Sequence, residues 1–122
     1  MGGKHITVVY KWTAQPGKLA ELASIYERVT AAMEQNEPGA EAVHIYVSEE
    51  DNAVYVRDEF ADAAAMGFHL QSTAAEHFPQ LLAIATPGPF FFLGNVPPEL
   101  KQATQQMQLG AEFSTHAAGF DR

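Results

Sequence analysis

The chain is 122 residues long, a length that suits one domain with one core, and 7 basic against 15 acidic side chains leave a net charge of -8. A surface of that sign repels phosphate backbones and anionic lipid, which counts against nucleic acid and membrane surfaces as partners. The absence of cysteine excludes disulfides, thiol catalysis and cysteine-held metal, and fits a cytoplasmic location.

At 47% hydrophobic and 18% charged residues, the composition is that of a folded globular chain. The segment Met1-Gly2-Gly3-Lys4-His5 has no apolar stretch of the kind a secretory leader carries. No apolar run approaches the ~20 residues that a membrane span needs.

Ile6 to Trp12 reads as the first strand, with Ile6, Val8, Tyr10 and Trp12 on one face and Thr7, Val9 and Lys11 on the other. Gln15-Pro16-Gly17 ends it. Lys18 to Gln35 reads as a helix, because Leu19, Leu22, Tyr26, Val29 and Met33 recur every three or four residues and form one stripe. Glu37-Pro38-Gly39 stops that helix. Ala42 to Val47 and Ala53 to Phe60 read as a hairpin around Ser48-Glu49-Glu50-Asp51-Asn52. Pairing Val47 with Val54 puts Val43, Ile45, Val47, Val54, Val56, Asp58 and Phe60 on one face. His44, Tyr46, Tyr55, Arg57 and Glu59 fall on the other.

Asp62 to Ala85 reads as a broken helix. Asp62 can cap its start, Thr73-Ala74-Ala75-Glu76 has the spacing of a capping box, and Pro79 fits an early turn of the second piece or kinks it. Pro87-Gly88-Pro89 is expected to end that helix. Phe90 to Val96 reads as the fourth strand, with Phe90 and Phe92 opposite in sense to Phe91 and Leu93. After Pro97-Pro98, residues 99–108 suit a short helix, and Gly110 to Arg122 reads as a tail without periodicity. The expected organisation is a domain over residues 1–97 and a C-terminal extension over 98–122, comprising that helix and the tail.

The β-α-β-β-α-β order, with right-handed crossovers, predicts an α+β, ferredoxin-like, four-stranded antiparallel sheet with both helices on one face. The uncovered face is not polar, since Val9, Tyr46, Tyr55 and one side of the last strand lie on it. Apolar area of that extent marks an interface. A second copy packed face to face, giving a homodimeric α+β barrel, covers it most simply; the tail folding back is the alternative.

There is no glycine-rich phosphate loop and no nucleophile-elbow serine. The five histidines (5, 44, 69, 77 and 116) show no pairing suited to a metal, so no metal site is expected. The informative stretch begins at Asp58-Glu59-Phe60, an acidic residue and an aromatic on the helix-facing side of the third strand. It ends at His69-Leu70-Gln71-Ser72, with His69 nine residues after Phe60. This pattern, with the strand order and the Gln15-Pro16-Gly17-Lys18 break, resembles the antibiotic biosynthesis monooxygenase domain family over residues 5–96. Asp58 and Phe60 stand where that family commonly has Glu and Trp. Ala74 stands where some quinol-oxidising members have a second histidine.

The resemblance implies oxygen insertion into an electron-rich aromatic, a quinol or polyketide phenol, by dioxygen, with no flavin, haem or metal cofactor. Such chemistry needs a base near neutral pKa, a donor or cation for the oxyanion and an apolar slot for a flat ring. His69 is the candidate base, with Asp58 as its orienting carboxylate; a helix-end histidine bonded to a backbone carbonyl is the plainer reading. His77 can share that role or be a solvated helix residue. Tyr10, Phe60, Phe78 and Phe92 can line the slot or simply be core. Trp12 reads as packing at the barrel end. His44, Tyr55 and Arg57 read as interface, His5 as lying near a frayed end, and His116 and Phe120 as tail. The alternative to an enzyme is a non-catalytic dimeric module that binds a small apolar ligand.

Overall fold

The computed structural model describes residues 4–122; Met1 to Gly3, part of the segment read above for a leader, lie outside the described residues. The elements run β1 (Ile6–Ala14), α1 (Leu19–Asn36), β2 (Ala40–Ser48), β3 (Ala53–Phe60), α2 (Ala63–Gln71), α3 (Thr73–Ile84), β4 (Ala85–Leu93), α4 (Pro98–Gln106) and β5 (Ala111–Ser114). The fold is ferredoxin-like α+β, with strand order β2-β3-β1-β4-β5. The sheet has five strands, not four. β5 comes from the segment read as a tail and pairs with β4 in parallel, Phe90 with Ala111 through Leu93 with Ser114.

The alternation of β1 is realised as expected: Ile6, Val8, Tyr10 and Trp12 are buried under the helices. The hairpin also takes the expected register, Val47 opposite Val54, Ile45 opposite Val56 and His44 opposite Arg57. From α1, Leu22, Ile25, Tyr26, Val29 and Met33 close over these strands, each such apolar side chain contributing about 1.5–3 kcal/mol on full burial. The Asp62 side chain caps α2 by accepting from the Ala65 N–H at 2.9 Å. The break at Ser72 also occurs where expected, but not through the capping box. Ser72 precedes α3 without a side-chain cap, and its hydroxyl bonds back to the Phe68 carbonyl instead.

Pro87-Gly88-Pro89 lies within β4 and does not precede it. Two residues without an N–H are accommodated by a bulge: Tyr10 pairs with Phe90, yet Trp12 pairs with Pro87. Gly88 has φ +114, and a Cβ there would meet the Leu109 carbonyl oxygen at 2.8 Å. A side chain at this position would push away the turn that delivers β5, so glycine is what lets the extension join the sheet.

The outer sheet face is mixed. Tyr46, Phe91 and Leu93 are exposed on it. Beside them Glu59 accepts from Thr7 at 2.6 Å and from Arg57 at 2.7 Å, and it also bonds His5. His5 is 3.1 Å from Glu41 as well, so it is held between carboxylates and not frayed.

Candidate active site

Between the inner sheet face and the helices lies a cavity of about 50 Å³. Its floor is β1, β3 and β4, which contribute Val8, Tyr10, Trp12, Asp58, Phe60, Phe90 and Phe92. Helical side chains close it, among them Tyr26, Met66, His69, His77 and Phe78. Met107 and Leu109 of the extension complete the wall. No Lys or Arg lines it. Room for a few water molecules is less than the roughly 150 Å³ of a cavity that admits benzene. Flexible Met66 and Met107 are the side chains best able to yield to a ring.

All the residues expected at the site, Tyr10, Asp58, Phe60, His69, His77, Phe78 and Phe92, line this one cavity. Their partners differ from expectation. His69, in the last turn of α2, does not bond a backbone carbonyl, and its orienting carboxylate is not Asp58. Its Nδ1 lies 3.0 Å from Glu37 Oε2. A carboxylate only accepts, so Nδ1 carries the proton and Nε2 is the nitrogen left to act as a base. Burial pushes the Glu37 carboxyl up, but hydrogen bonds from His69 and Thr73 and the charge of the imidazole outweigh it and hold the group below the usual range. Gly39, two residues on, makes the approach possible: a Cβ there would stand 2.5 Å from that of Ala65 in α2.

In the sequence Glu37 stands out only as part of a helix stop. Its signal is that a carboxylate at a helix C-terminus opposes the helix dipole and so needs another reason to be there. It is 3% exposed, and His69 supplies that reason.

Asp58 is 2% exposed and accepts from the Tyr10 hydroxyl at 3.0 Å. Burial raises its carboxyl to about 6, aided by the charges of Glu37 and Glu59 and opposed by His69 and the Tyr10 bond. Burial likewise keeps the Tyr10 phenol far above its ordinary value, so it remains a donor. The ring of Tyr10 stacks on Phe90 at 4.2 Å, and the series continues through Phe92 to Phe113 of β5.

His77 is not solvated. It is 8% exposed, with Nδ1 2.9 Å from the Thr73 carbonyl of its own helix, which fixes the proton on Nδ1 and leaves Nε2 as an acceptor. Trp12 belongs to the cavity and does not merely pack at the end of the sheet; it meets Phe78 edge to face. Arg57, His44 and Tyr55 are on the opposite sheet face, and Arg57 is occupied by Glu59. Among the described residues no cluster of three or more His, Cys, Asp or Glu has the geometry to hold a metal ion. No described helix is long and apolar enough to cross a membrane.

The family model for antibiotic biosynthesis monooxygenases matches residues 5–81. No curated protein sequence matches the chain. Among solved structures, MupZ from Pseudomonas fluorescens superposes with a TM-score of 0.75 at 18% identity, covering 98% of this chain and 95% of its own. SnoaB from Streptomyces nogalater, a cofactor-independent oxygenase, gives 0.63 at 23% identity over 77% of this chain and 95% of its own. Rv0793 from Mycobacterium tuberculosis gives 0.66 at 14% identity over 76% and 96%. At these identities the superpositions speak to the fold, and of these three the MupZ match, over 98% of this chain, is long enough to take in the extension with α4 and β5. The family model spans more than half of the sequence, from β1 to the last turn of α3, and on that match the chain belongs to the antibiotic biosynthesis monooxygenase family.

Proposed function

We propose that the chain is a cofactor-independent monooxygenase that oxidises an electron-rich aromatic, a quinol or polyketide phenol, with dioxygen. The observation that carries this reading is the set of proton acceptors, His69 Nε2 beside Asp58, within an apolar cavity walled by aromatic rings. Triplet dioxygen reacts slowly with closed-shell molecules, so the substrate must become a good electron donor first. Removal of its hydroxyl proton does that. The phenolate passes one electron to dioxygen, the radical pair joins as a C–O bond, and the peroxide loses water to leave the quinone. His69, held by Glu37, is the proposed base, and Asp58 the second proton-handling group. Tyr10, Phe60, Phe78 and Phe92 are the proposed ring contacts, with His77 Nε2 at the edge.

A second reading keeps the same groups but consumes no dioxygen: proton transfer that isomerises or cyclises the bound molecule. What favours it is that His69, held by Glu37, and Asp58 can pass protons whether or not dioxygen is present. The third possibility, a module that binds without turnover, leaves the buried His69–Glu37 pair without a use.

Oxygen uptake by metal-stripped protein, measured against a panel of hydroquinones and polycyclic phenols, separates the three. Uptake above the spontaneous rate that survives chelation supports the oxygenase. Product formed equally well under argon moves the assignment to acid–base chemistry. Neither product nor uptake leaves the binding module.

The active unit is proposed to be a homodimer, formed through the outer sheet face. Tyr46 is 56% exposed there, and Phe91 and Leu93 lie exposed on the same side. An uncovered apolar area of this kind marks an interface. Tyr46→Glu places a charge in it and is expected to give monomer in sedimentation velocity at concentrations where the wild type is dimer. A variant that still sediments as a dimer overturns the face assignment.

A further inference from the structure

Two buried polar atoms of residues that line the cavity have no hydrogen-bond partner among the described residues: the Trp12 indole Nε1 and the Asp58 carboxylate Oδ1. Trp12 is 1% exposed and Asp58 2%. The Tyr26 hydroxyl is close enough to feel the indole N–H, yet it is not placed to accept from it. Leaving either group unsatisfied is costly, so each is suited to a partner that arrives with the ligand.

The two atoms are unlike and apart. The indole N–H can only donate; the carboxylate, when ionised, can only accept. Asp58 lies opposite Val8, whereas Trp12 lies two inward positions further along β1, opposite Val54, with Tyr10 between them. Residues four apart along a strand are separated by roughly 13 Å at Cα. The two groups therefore address opposite ends of one molecule, and the aromatic wall of Tyr10 and Phe90 lies between.

We infer that Asp58 and Trp12 form a two-point recognition device for a flat ligand that carries a hydroxyl at one end and an oxygen acceptor, a carbonyl or ether, at the other. A carboxylate in place of the hydroxyl meets the Asp58 charge. An amine in place of the acceptor leaves the indole N–H unpaired. A hydrocarbon satisfies neither. The inference deepens the proposed function, since it rests on the cavity being the ligand site and names which substrate atoms it reads.

The test is binding under argon, with 4-hydroxyacetophenone (both functions), 4-methylphenol (hydroxyl only) and 4-methylacetophenone (carbonyl only). The double-function probe is expected to bind about tenfold more tightly than either single one. Trp12 is the sole tryptophan, so its indole N–H gives one cross-peak in ¹⁵N-labelled protein. That peak is expected to shift with the two carbonyl probes and to stay with 4-methylphenol. Trp12→Phe is expected to abolish the preference for the carbonyl and keep that for the hydroxyl; Asp58→Leu, which has no polar atom to offer, is expected to do the reverse. Affinities equal within about twofold, absence of binding at millimolar probe, or an indole peak unmoved at saturation with 4-hydroxyacetophenone overturns the inference. The wild-type measurements decide even where a variant fails to fold. A protein that shows the preference but takes up no oxygen refutes the oxygenase alone; turnover with equal probe affinities refutes this device alone.

Discussion

His69→Gln is expected to lower turnover by about a hundredfold or more, the range lost when a positioned general base is removed, while its melting temperature stays near that of the wild type. Glutamine is the informative replacement because of Glu37. That carboxylate is almost fully buried, and the His69 N–H at 3.0 Å is, with the Thr73 bond, what keeps it charged. A glutamine amide can still donate to it, yet has no lone pair with which to take a proton. His69→Ala leaves the carboxylate with Thr73 as its donor and without its imidazole partner, and breaking a buried pair in this way costs about 3–5 kcal/mol. The alanine variant therefore loses stability as well as rate and does not separate the two roles. Glu37→Gln completes the series: it keeps an imidazole at the site but replaces the carboxylate that orients it with a neutral amide, and an intermediate loss of rate is expected. The measurement is turnover of the substrate found in the oxygen-uptake panel, alongside thermal melts. Undiminished turnover in His69→Gln removes His69 from the mechanism.

What could be read from the sequence follows the range of the interactions involved. The β2–β3 register was legible because a hairpin loop and an alternating pattern fix it locally, and both were present around Ser48 to Asn52. Burial of Asp58 and Phe60 followed from that register alone. β5 was not legible: Ala111 to Ser114 is too short to show a period, and its parallel pairing with β4 depends on Gly88 accepting the Leu109 carbonyl at close range. Pro87-Gly88-Pro89 has the composition of a terminator, and only the bulge opposite Trp12 shows how a strand can contain it. At the site, the residues that sequence reasoning selected, His69 and Asp58 among them, do meet in one cavity. Their pairing did not follow, because Glu37 reaches His69 of α2 from the turn between α1 and β2, a tertiary contact with no local signature. His77 was indistinguishable from a solvated helix residue until the cavity placed it.

Asp58→Asn is expected to raise the melting temperature at pH 8 and to leave it unchanged at pH 4. The Asp58 carboxyl is raised from an ordinary value of 3.8 to about 6 in the folded chain, chiefly by burial. A folded-state value above the unfolded one means that the native state binds the proton more tightly. The stabilisation this provides is fully present below pH 4 and is lost as pH rises through 6. Relative to a neutral isostere, the ionised carboxylate then costs about 3 kcal/mol, and for a domain of this size that is about 10 °C in melting temperature. Asparagine has the same shape, stays neutral and still accepts from Tyr10, so the difference between the two proteins isolates the charge. The neighbouring Glu37 titrates with the opposite sign, its stabilisation being lost as pH falls, but it is present in both proteins and largely cancels. Melts from pH 4 to 8 are expected to diverge between pH 4 and 7, with the variant the more stable. Curves that run parallel across the range contradict the buried, ionisable Asp58 on which its proposed part in proton transfer depends. A natural chain that accepts such a cost at a residue lining its cavity is trading stability for a charge that its chemistry uses.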